Sequence, residues 1–361
     1  MSEEMYLKLA KVLDTLPNGF PATNSGVEFK LLKKIFRPED TDLFCDLKLS
    51  LETAEQIAER TGRSIDGLEE HLSEMWRRGQ LFGTDIGGIM VFKMVPWAFG
   101  IYEYQLPHLD REMAEMCEEY MKVFGEQFFK NKPQLMQVVP VEKEIFAKQQ
   151  TLHYEQVSNI IENSQSFAVF DCICKKEKHL LDKGCDKPLE ICTAYAPIPG
   201  VFDEVPHYRS MSKDEAYAVL DQAEEAALVH LTWNMESGHF FICNCCGCCC
   251  HVLTSINDLG INASTVINSN YYAEINSDSC IVCNTCVDER CQVVAIEEGD
   301  DANHIIRDKC IGCGLCISTC PTDSIKLIRK APDEIITPPK DEMEWFKKRA
   351  SEVGVDISKY T

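Results

Sequence analysis

The sequence predicts an α/β multidomain chain in three main parts. These are an N-terminal winged-helix-like module, a central cysteine-rich α/β domain, and a C-terminal domain built on one cysteine unit used twice. Three observations carry this. The chain has 361 residues, enough for two or three separate cores. Helical apolar spacing followed by a hairpin pattern fills residues 1–100. All but Cys45 and Cys117 of the 20 cysteines fall after residue 171.

The N-terminal module spans 1–100. Residues 28–36 read as its first helix. Residues 53–60 read as a second, with Ala54, Ile57 and Ala58 on one side, and Gly62 makes the turn. Ser64 caps a third helix through Trp76, with Ile65, Leu68, Leu72, Met75 and Trp76 at helical spacing. Residues 81–82 and 89–92 flank 85–88 as a hairpin wing. A helix that reads the major groove needs cationic or amide side chains. This one carries Asp66, Glu69, Glu70 and Glu74, with Arg77 and Arg78 only at its end. Docking onto protein is therefore favoured over binding DNA.

Residues 101–275 form a helical linker and the central domain. The stretch 110–129 is an amphipathic helix, with Met113, Met116, Cys117, Tyr120 and Phe124 as its core stripe. Cys45 and Cys117 stand apart from the other cysteines and read as small buried hydrophobes. Residues 154–163 read as a helix and 167–170 as a buried strand. That strand runs into Cys172 and Cys174 and a helix over KKEKHLL. Cys185 and Cys192 follow in GCDKPLEIC. Ser212 and Glu215 form a capping box that opens a helix to about Ala226. Residues 228–232 and 240–242 read as strands. The second enters Cys243, Cys245, Cys246, Cys248, Cys249 and Cys250 in CNCCGCCC, with a helix through Ile256 after it. Both cysteine arrays leave the ends of strands, so they are expected to meet.

Thiolates packed this closely repel one another unless a cation binds them, and a soft metal resolves the repulsion. One or two further centres are expected among these ten cysteines, at least one an iron–sulfur cluster, with zinc as the fallback. Two ligand choices stay open. Cys172, Cys185 and Cys192 take one partner from 243–250, or CNCCGCCC holds its own cluster. Adjacent cysteines such as Cys245–Cys246 and the run 248–250 diverge, so they do not all face one cube. A metal-free dithiol is the remaining reading. His251 reads as a surface residue.

Residues 276–330 hold the repeated unit. Cys280, Cys283, Cys286 and Cys291 stand in CIVCNTCVDERCQ; Cys310, Cys313, Cys316 and Cys320 stand in CIGCGLCISTCP, ending in Pro321. A CxxCxxC turn wraps three thiolates round one cubic iron–sulfur cluster, and the fourth cysteine reaches the other cluster. Zinc favours paired CxxC knuckles instead. The pattern resembles the bacterial two-cluster ferredoxins. That resemblance implies a ferredoxin (βαβ-repeat) dicluster domain holding two [4Fe-4S] clusters. Cys280, Cys283, Cys286 and Cys320 would hold one, and Cys310, Cys313, Cys316 and Cys291 the other. The first unit departs from the pattern: four residues separate Cys286 from Cys291, and Gln292 stands in place of the usual proline.

From Val141 onward, CICKKEKHLLDKGCDKPLEIC, SKDEAYAVLDQAEEAALVHL, ICNCCGCCC and SNYYAEI resemble a family of large cytosolic ferredoxin-like proteins of anaerobic bacteria and archaea. The resemblance implies electron transfer beside a larger redox enzyme. The tail, 331–361, carries Pro332, Pro338 and Pro339, then a short helix at 341–350 whose Trp345 and Phe346 are expected to dock on the same chain.

The net charge of −22 opposes nucleic-acid binding and favours partners with basic faces, either redox enzyme subunits or a soluble electron carrier. No signal peptide is expected, and the apolar stretch 90–102 is broken by Lys93, Pro96 and Gly100, so no membrane span is expected. Clustered cysteines then read as metal ligands in a reducing cytoplasm. No GxGxxG or P-loop is visible. The expected function is an iron–sulfur electron-transfer protein, the relay subunit or partner of an anaerobic oxidoreductase complex. One alternative is a reductase whose central cysteines are catalytic. Another is a redox-sensing transcription regulator that uses the N-terminal module, which the acidic third helix opposes.

Overall fold

The computed structural model describes residues 2–141, 155–203, 205 and 207–361. The chain forms two compact units. One comprises Met1–Phe128, His179–Lys183 and Arg349–Thr361; the other comprises Phe129–Lys178 and Gly184–Lys348. No helix of the described residues is long and apolar enough to cross a membrane.

The first unit runs α1 (Ser2–Asp14), α2 (Val27–Ile35), α3 (Pro38–Cys45), α4 (Ala54–Thr61), α5 (Leu68–Arg77), β1 (Phe82–Asp85), β2 (Met90–Lys93), α6 (Tyr102–Tyr104) and α7 (Arg111–Phe128). Strands β1 and β2 pair as an antiparallel hairpin from Phe82↔Lys93 to Asp85↔Met90. Thr53 and Gln56 form a capping box at the start of α4, and Gly62, in the left-handed region, ends it. The next helix begins later than its spacing predicts. Its N-cap is Gly67, while the Ser64 hydroxyl accepts the Asp66 N–H in the preceding turn. Ile65 therefore lies outside the helix and is 45% exposed. Cys45 and Cys117 are both buried. Burial pushes the Cys45 thiol up to about 11.

The second unit opens with β3 (Met136–Val138), α8 (Val157–Glu162), β4 (Ser166–Asp171), α9 (Ile173–Leu180), β5 (Glu190–Ala196), β6 (Arg209–Ser210) and α10 (Lys213–Glu225). Residue 154, expected to start α8, lies outside the described residues. The chain continues through β7 (Val229–Trp233), β8 (Phe241–Cys245), α11 (His251–Asn257), α12 (Ala263–Val266) and β9 (Ile267–Asn268). These strands form one sheet in the order β6-β4-β5-β8-β7-β3-β9. Every pair is antiparallel except β3 with β9. Because β4 and β8 both run antiparallel to the β5 between them, they run parallel to each other. The cysteines that follow each one leave the sheet at the same end. Val169, Ile191, Tyr195, Ala216, Leu220, Ala223 and Ile242 form the core beneath.

Strands β10 (Tyr271–Ile275), β11 (Ile296–Glu297), β12 (His304–Ile305) and β13 (Ile325–Arg329) build the dicluster region. β10 pairs with β13 and β11 with β12, both antiparallel. The expected βαβ repeat is not what forms. Among the described residues of 276–330 there is no α-helix, only a five-residue π-type turn at Cys286–Arg290. Val282, Asn284, Gly312 and Gly314 all have positive φ, which turns the cysteine loops inward and stops a helix from propagating.

Helix α13 (Glu342–Val353) follows. Trp345 is fully buried, its ring meets Trp233 edge-on at 5.4 Å, and its Nε1 donates to the Gln134 carbonyl at 2.9 Å. The tail tryptophan thus packs on its own chain.

Candidate metal centres

In the dicluster region the fourth cysteine crosses between units. Cys320 of the second unit lines the same cavity as Cys280, Cys283 and Cys286 of the first, together with Asn303 and Thr322. Donors are aimed at the sulfurs. Asn303 Nδ2 donates to Cys286 Sγ at 3.6 Å and the Ser324 N–H to Cys320 Sγ at 3.3 Å. In the other set, Ala273 N–H donates to Cys310 Sγ at 3.3 Å and Ala295 N–H to Cys291 Sγ at 3.1 Å. N–H groups directed at sulfur favour a thiolate over a thiol, which is the form that ligates metal. Burial pushes Cys313 up to about 12 and Cys316 well above the usual thiol range, so these thiols ionise only against a cation. The donor set therefore fits iron–sulfur clusters. Gly312 lets this loop close, because a Cβ there would lie 2.2 Å from the Tyr271 carbonyl oxygen.

The central cysteines separate into two groups. The Sγ atoms of Cys185, Cys246, Cys248 and Cys249 all lie within 4.8 Å of one another. Cys185 is 3.9 Å from Cys246 and 3.7 Å from Cys249, and Cys248 is 3.7 Å from Cys249. The other six, Cys172, Cys174, Cys192, Cys243, Cys245 and Cys250, have one another as neighbours. Cys185 stands with Cys246, Cys248 and Cys249. The two arrays meet as expected, through the Cys174–Cys250 contact. The backbone explains the sorting. Cys245 and Cys246 are consecutive, so they point to opposite sides of the chain, and Cys249 and Cys250 part in the same way as α11 begins.

Lys175 was not picked out by sequence, where it falls in the helix over KKEKHLL. It is fully buried, and its Nζ donates to the Asn244 carbonyl at 3.0 Å. Burial works against its charge, but Cys172, Cys192, Cys246 and Cys245 offset that and leave the ammonium raised. A lysine held charged here requires anionic sulfur around it. The thiols respond in kind. Hydrogen bonds from Cys174 and Cys192, aided by Lys175, hold Cys172 well below the usual range. A hydrogen bond from Cys249, with Lys175, brings Cys246 down to about 5. Cys174, Cys192, Cys243 and Cys245 are pushed well above it, each first by a hydrogen bond to a neighbouring sulfur and then by burial. Such a group ionises together only around metal.

Polar neighbours hold the array in place. His230 Nδ1 and Asn244 Oδ1 are 2.6 Å apart, and Asn244 also donates to the Ile191 carbonyl across β5 and β8. His251, read from sequence as a surface residue, is largely covered, with Nε2 3.1 Å from the buried carboxylate of Glu177. The sequence signal for it was its place directly after Cys250.

The two departures from the ferredoxin pattern are both structural. Arg290, within the longer loop, is buried and donates to the carbonyls of Leu315 (3.0 Å), Glu225 (3.1 Å) and Glu224 (2.8 Å). The last two lie at the C-terminus of α10, where the helix dipole favours a cation. Gln292 accepts the Gly247 N–H at 2.9 Å through its side chain, and its backbone carbonyl accepts from Asn257 Nδ2 at 3.0 Å. Gly247 sits between Cys246 and Cys248, so the loop of Cys291 touches the loop that carries two of the four sulfurs.

A family described as the 4Fe-4S dicluster domain matches residues 273–327. An uncharacterized ferredoxin of Methanocaldococcus jannaschii is 35% identical over 95 residues, which is 25% of this chain and 53% of that protein. A 7Fe ferredoxin of Hydrogenibacillus schlegelii is 38% identical over 64 residues, 18% of this chain and 81% of that protein. The match thus spans about half the length of the archaeal relative. No solved structure matches the chain.

Proposed function

This chain belongs to the ferredoxins through its 4Fe-4S dicluster domain, and from that premise we propose that it is the electron-relay subunit or partner of an anaerobic, cytoplasmic oxidoreductase complex. Clusters of this kind, when bound, supply one-electron transfer at potentials set by charge, hydrogen bonding and burial. Cys280, Cys283, Cys286 and Cys320 would hold one, Cys310, Cys313, Cys316 and Cys291 the other, and the central cysteines at least one further centre.

The observation that carries the reading is the Gln292–Gly247 hydrogen bond. It joins the backbone beside Cys291 to the loop of Cys246 and Cys248, so the dicluster domain and the central sulfurs are one connected device. Arg290 fixes this docking through its bonds to the Leu315, Glu225 and Glu224 carbonyls. Asn303 and the Ser324 N–H orient sulfurs of the first set. The cavity of that set is open to a partner, with Cys283 exposed. The net charge of −22 supports a partner with a basic face. The N-terminal helices and hairpin, with Glu69, Glu70 and Glu74 on α5, would serve as a winged-helix-like docking module.

One observation favours a reductase reading as well: Cys248 is the exposed member of the four-sulfur group. Anaerobic redox titration followed by EPR separates the readings. Relay predicts two reducible cubane signals and delivery of electrons to a one-electron acceptor such as methyl viologen, with no turnover of disulfide or thioester substrates. A chain with no reducible dicluster signal refutes the relay.

A further inference from the structure

The central cysteines do not divide four and four with two to spare. We propose that Cys172, Cys174, Cys192, Cys243, Cys245 and Cys250 form one six-thiolate iron–sulfide site, separate from the four-sulfur site, and that it holds more iron than a single cubic cluster. This rests on the iron–sulfur reading above and goes beyond it in ligand set and size.

The six thiols close a ring. Cys172 neighbours Cys174 and Cys192, Cys174 neighbours Cys250, Cys250 neighbours Cys245, Cys245 neighbours Cys243, and Cys243 neighbours Cys192. Each sulfur has two sulfur neighbours, so no pair stands aside as spare. The sheet builds this ring. The pairs Thr193↔Ile242 and Ala194↔Phe241 set the β5–β8 register, which places Cys192 opposite Cys243. Cys245 lies two residues beyond Cys243 and shares its face. Cys172 follows β4, which pairs with β5 through Phe170↔Cys192. Cys174 and Cys250 close the ring from the start of α9 and the cap of α11.

Size separates the two groups. A tetrahedral ion with metal–sulfur bonds of about 2.3 Å spaces its sulfurs by roughly 3.8 Å. The four-sulfur group, with contacts of 3.7 to 3.9 Å, has that dimension. Six thiolates exceed what one such ion or one four-thiolate cubane takes. Charge points the same way. Lys175, fully buried with its Nζ on the Asn244 carbonyl, supplies one positive charge, and the remaining thiolates need several metal charges in a buried setting. Each thiol releases its proton to solvent as its metal bond forms. Iron with sulfide is the class the same chain loads in its dicluster domain.

Iron, zinc and acid-labile sulfide are counted on the full chain purified anaerobically, wild type against Cys192→Ser, Cys243→Ser and Cys248→Ser. Both ring variants are expected to lose more than about four irons each. Cys248→Ser is expected to lose about four irons or one zinc and to keep the ring's share. Ring variants that lose four or fewer, or central variants that all lose the same irons, overturn the proposal. The dicluster EPR signal serves as the folding control. The wild-type count needs no variant: more than about twelve irons is expected, and twelve or fewer overturns the site. A small ring count with a normally reducing dicluster sinks this site alone. A dicluster that does not reduce sinks the relay reading whatever the count.

Discussion

Gly247 and Gln292 meet through a 2.9 Å hydrogen bond from the Gly247 N–H to the Gln292 side-chain oxygen. A Cβ on Gly247 would lie 2.1 Å from the Gln292 backbone oxygen and 2.9 Å from Asn257 Nδ2. Two loops from different cysteine arrays are thus in backbone contact, and only glycine permits it. Gly247→Ala must push the loops apart. Overpacking of this kind costs about 1–3 kcal/mol. The expected result is a lower thermal midpoint and reduced metal at Cys246 and Cys248, with the dicluster EPR signal kept. An unchanged midpoint and metal content would refute the close contact.

Arg290→Ala leaves three carbonyls without their donor. A lost charged hydrogen-bond set of this kind costs about 2–4 kcal/mol. Denaturant unfolding of the loaded chain should show that loss, and Arg290→Lys should recover part of it by keeping a cation at the C-terminus of α10. Equal stability of the alanine variant and wild type would show that the longer Cys286–Cys291 loop is not a dock.

Lys175→Met removes a buried positive charge that faces Cys172, Cys192, Cys245 and Cys246. Adding an electron beside the sulfurs then becomes harder, so central potentials fall. For a unit charge a few ångströms away at an effective dielectric near 20, the shift is on the order of 100 mV. Lys175→Arg should restore most of it. Dicluster potentials that move as far as the central ones, or central potentials that rise, would contradict this placement.

Alkylation followed by mass spectrometry reads which sulfurs metal protects. Cys248 and Cys283 are the exposed cysteines. Both should label in metal-depleted protein and resist in loaded protein. Cys45, raised to about 11 by burial, should stay unlabelled at pH 8 in both. Labelling of Cys248 in fully loaded protein would remove it from the ligand set.

The dicluster cysteines were legible because CxxCxxC spacing is itself a cluster geometry. Strands β4 and β8 were legible from their apolar runs, and so was the meeting of the arrays they feed. The division of the ten central cysteines was not, because it depends on β5. That strand hides in GCDKPLEIC and brings Cys192 across to Cys243. The helical pattern from Ile65 misled because Gly67 at positive φ delays the start of α5. Lys175 was an unremarked residue of the KKEKHLL helix, and Gln292 read as a missing proline. Their roles exist only once burial and a partner loop are known. Arg290 is the same case, since its partners at Glu224 and Glu225 lie 66 and 65 residues away.

The central claim is that the dicluster domain and the central cysteines form one connected redox device. EPR of the anaerobically reduced chain, with power saturation, tests it most directly. The account predicts a dicluster signal magnetically coupled to a further centre, with the coupling lost in Cys192→Ser while the dicluster signal remains. A dicluster signal that is identical in both proteins, with no further paramagnetic centre in the wild type at any potential, would contradict it.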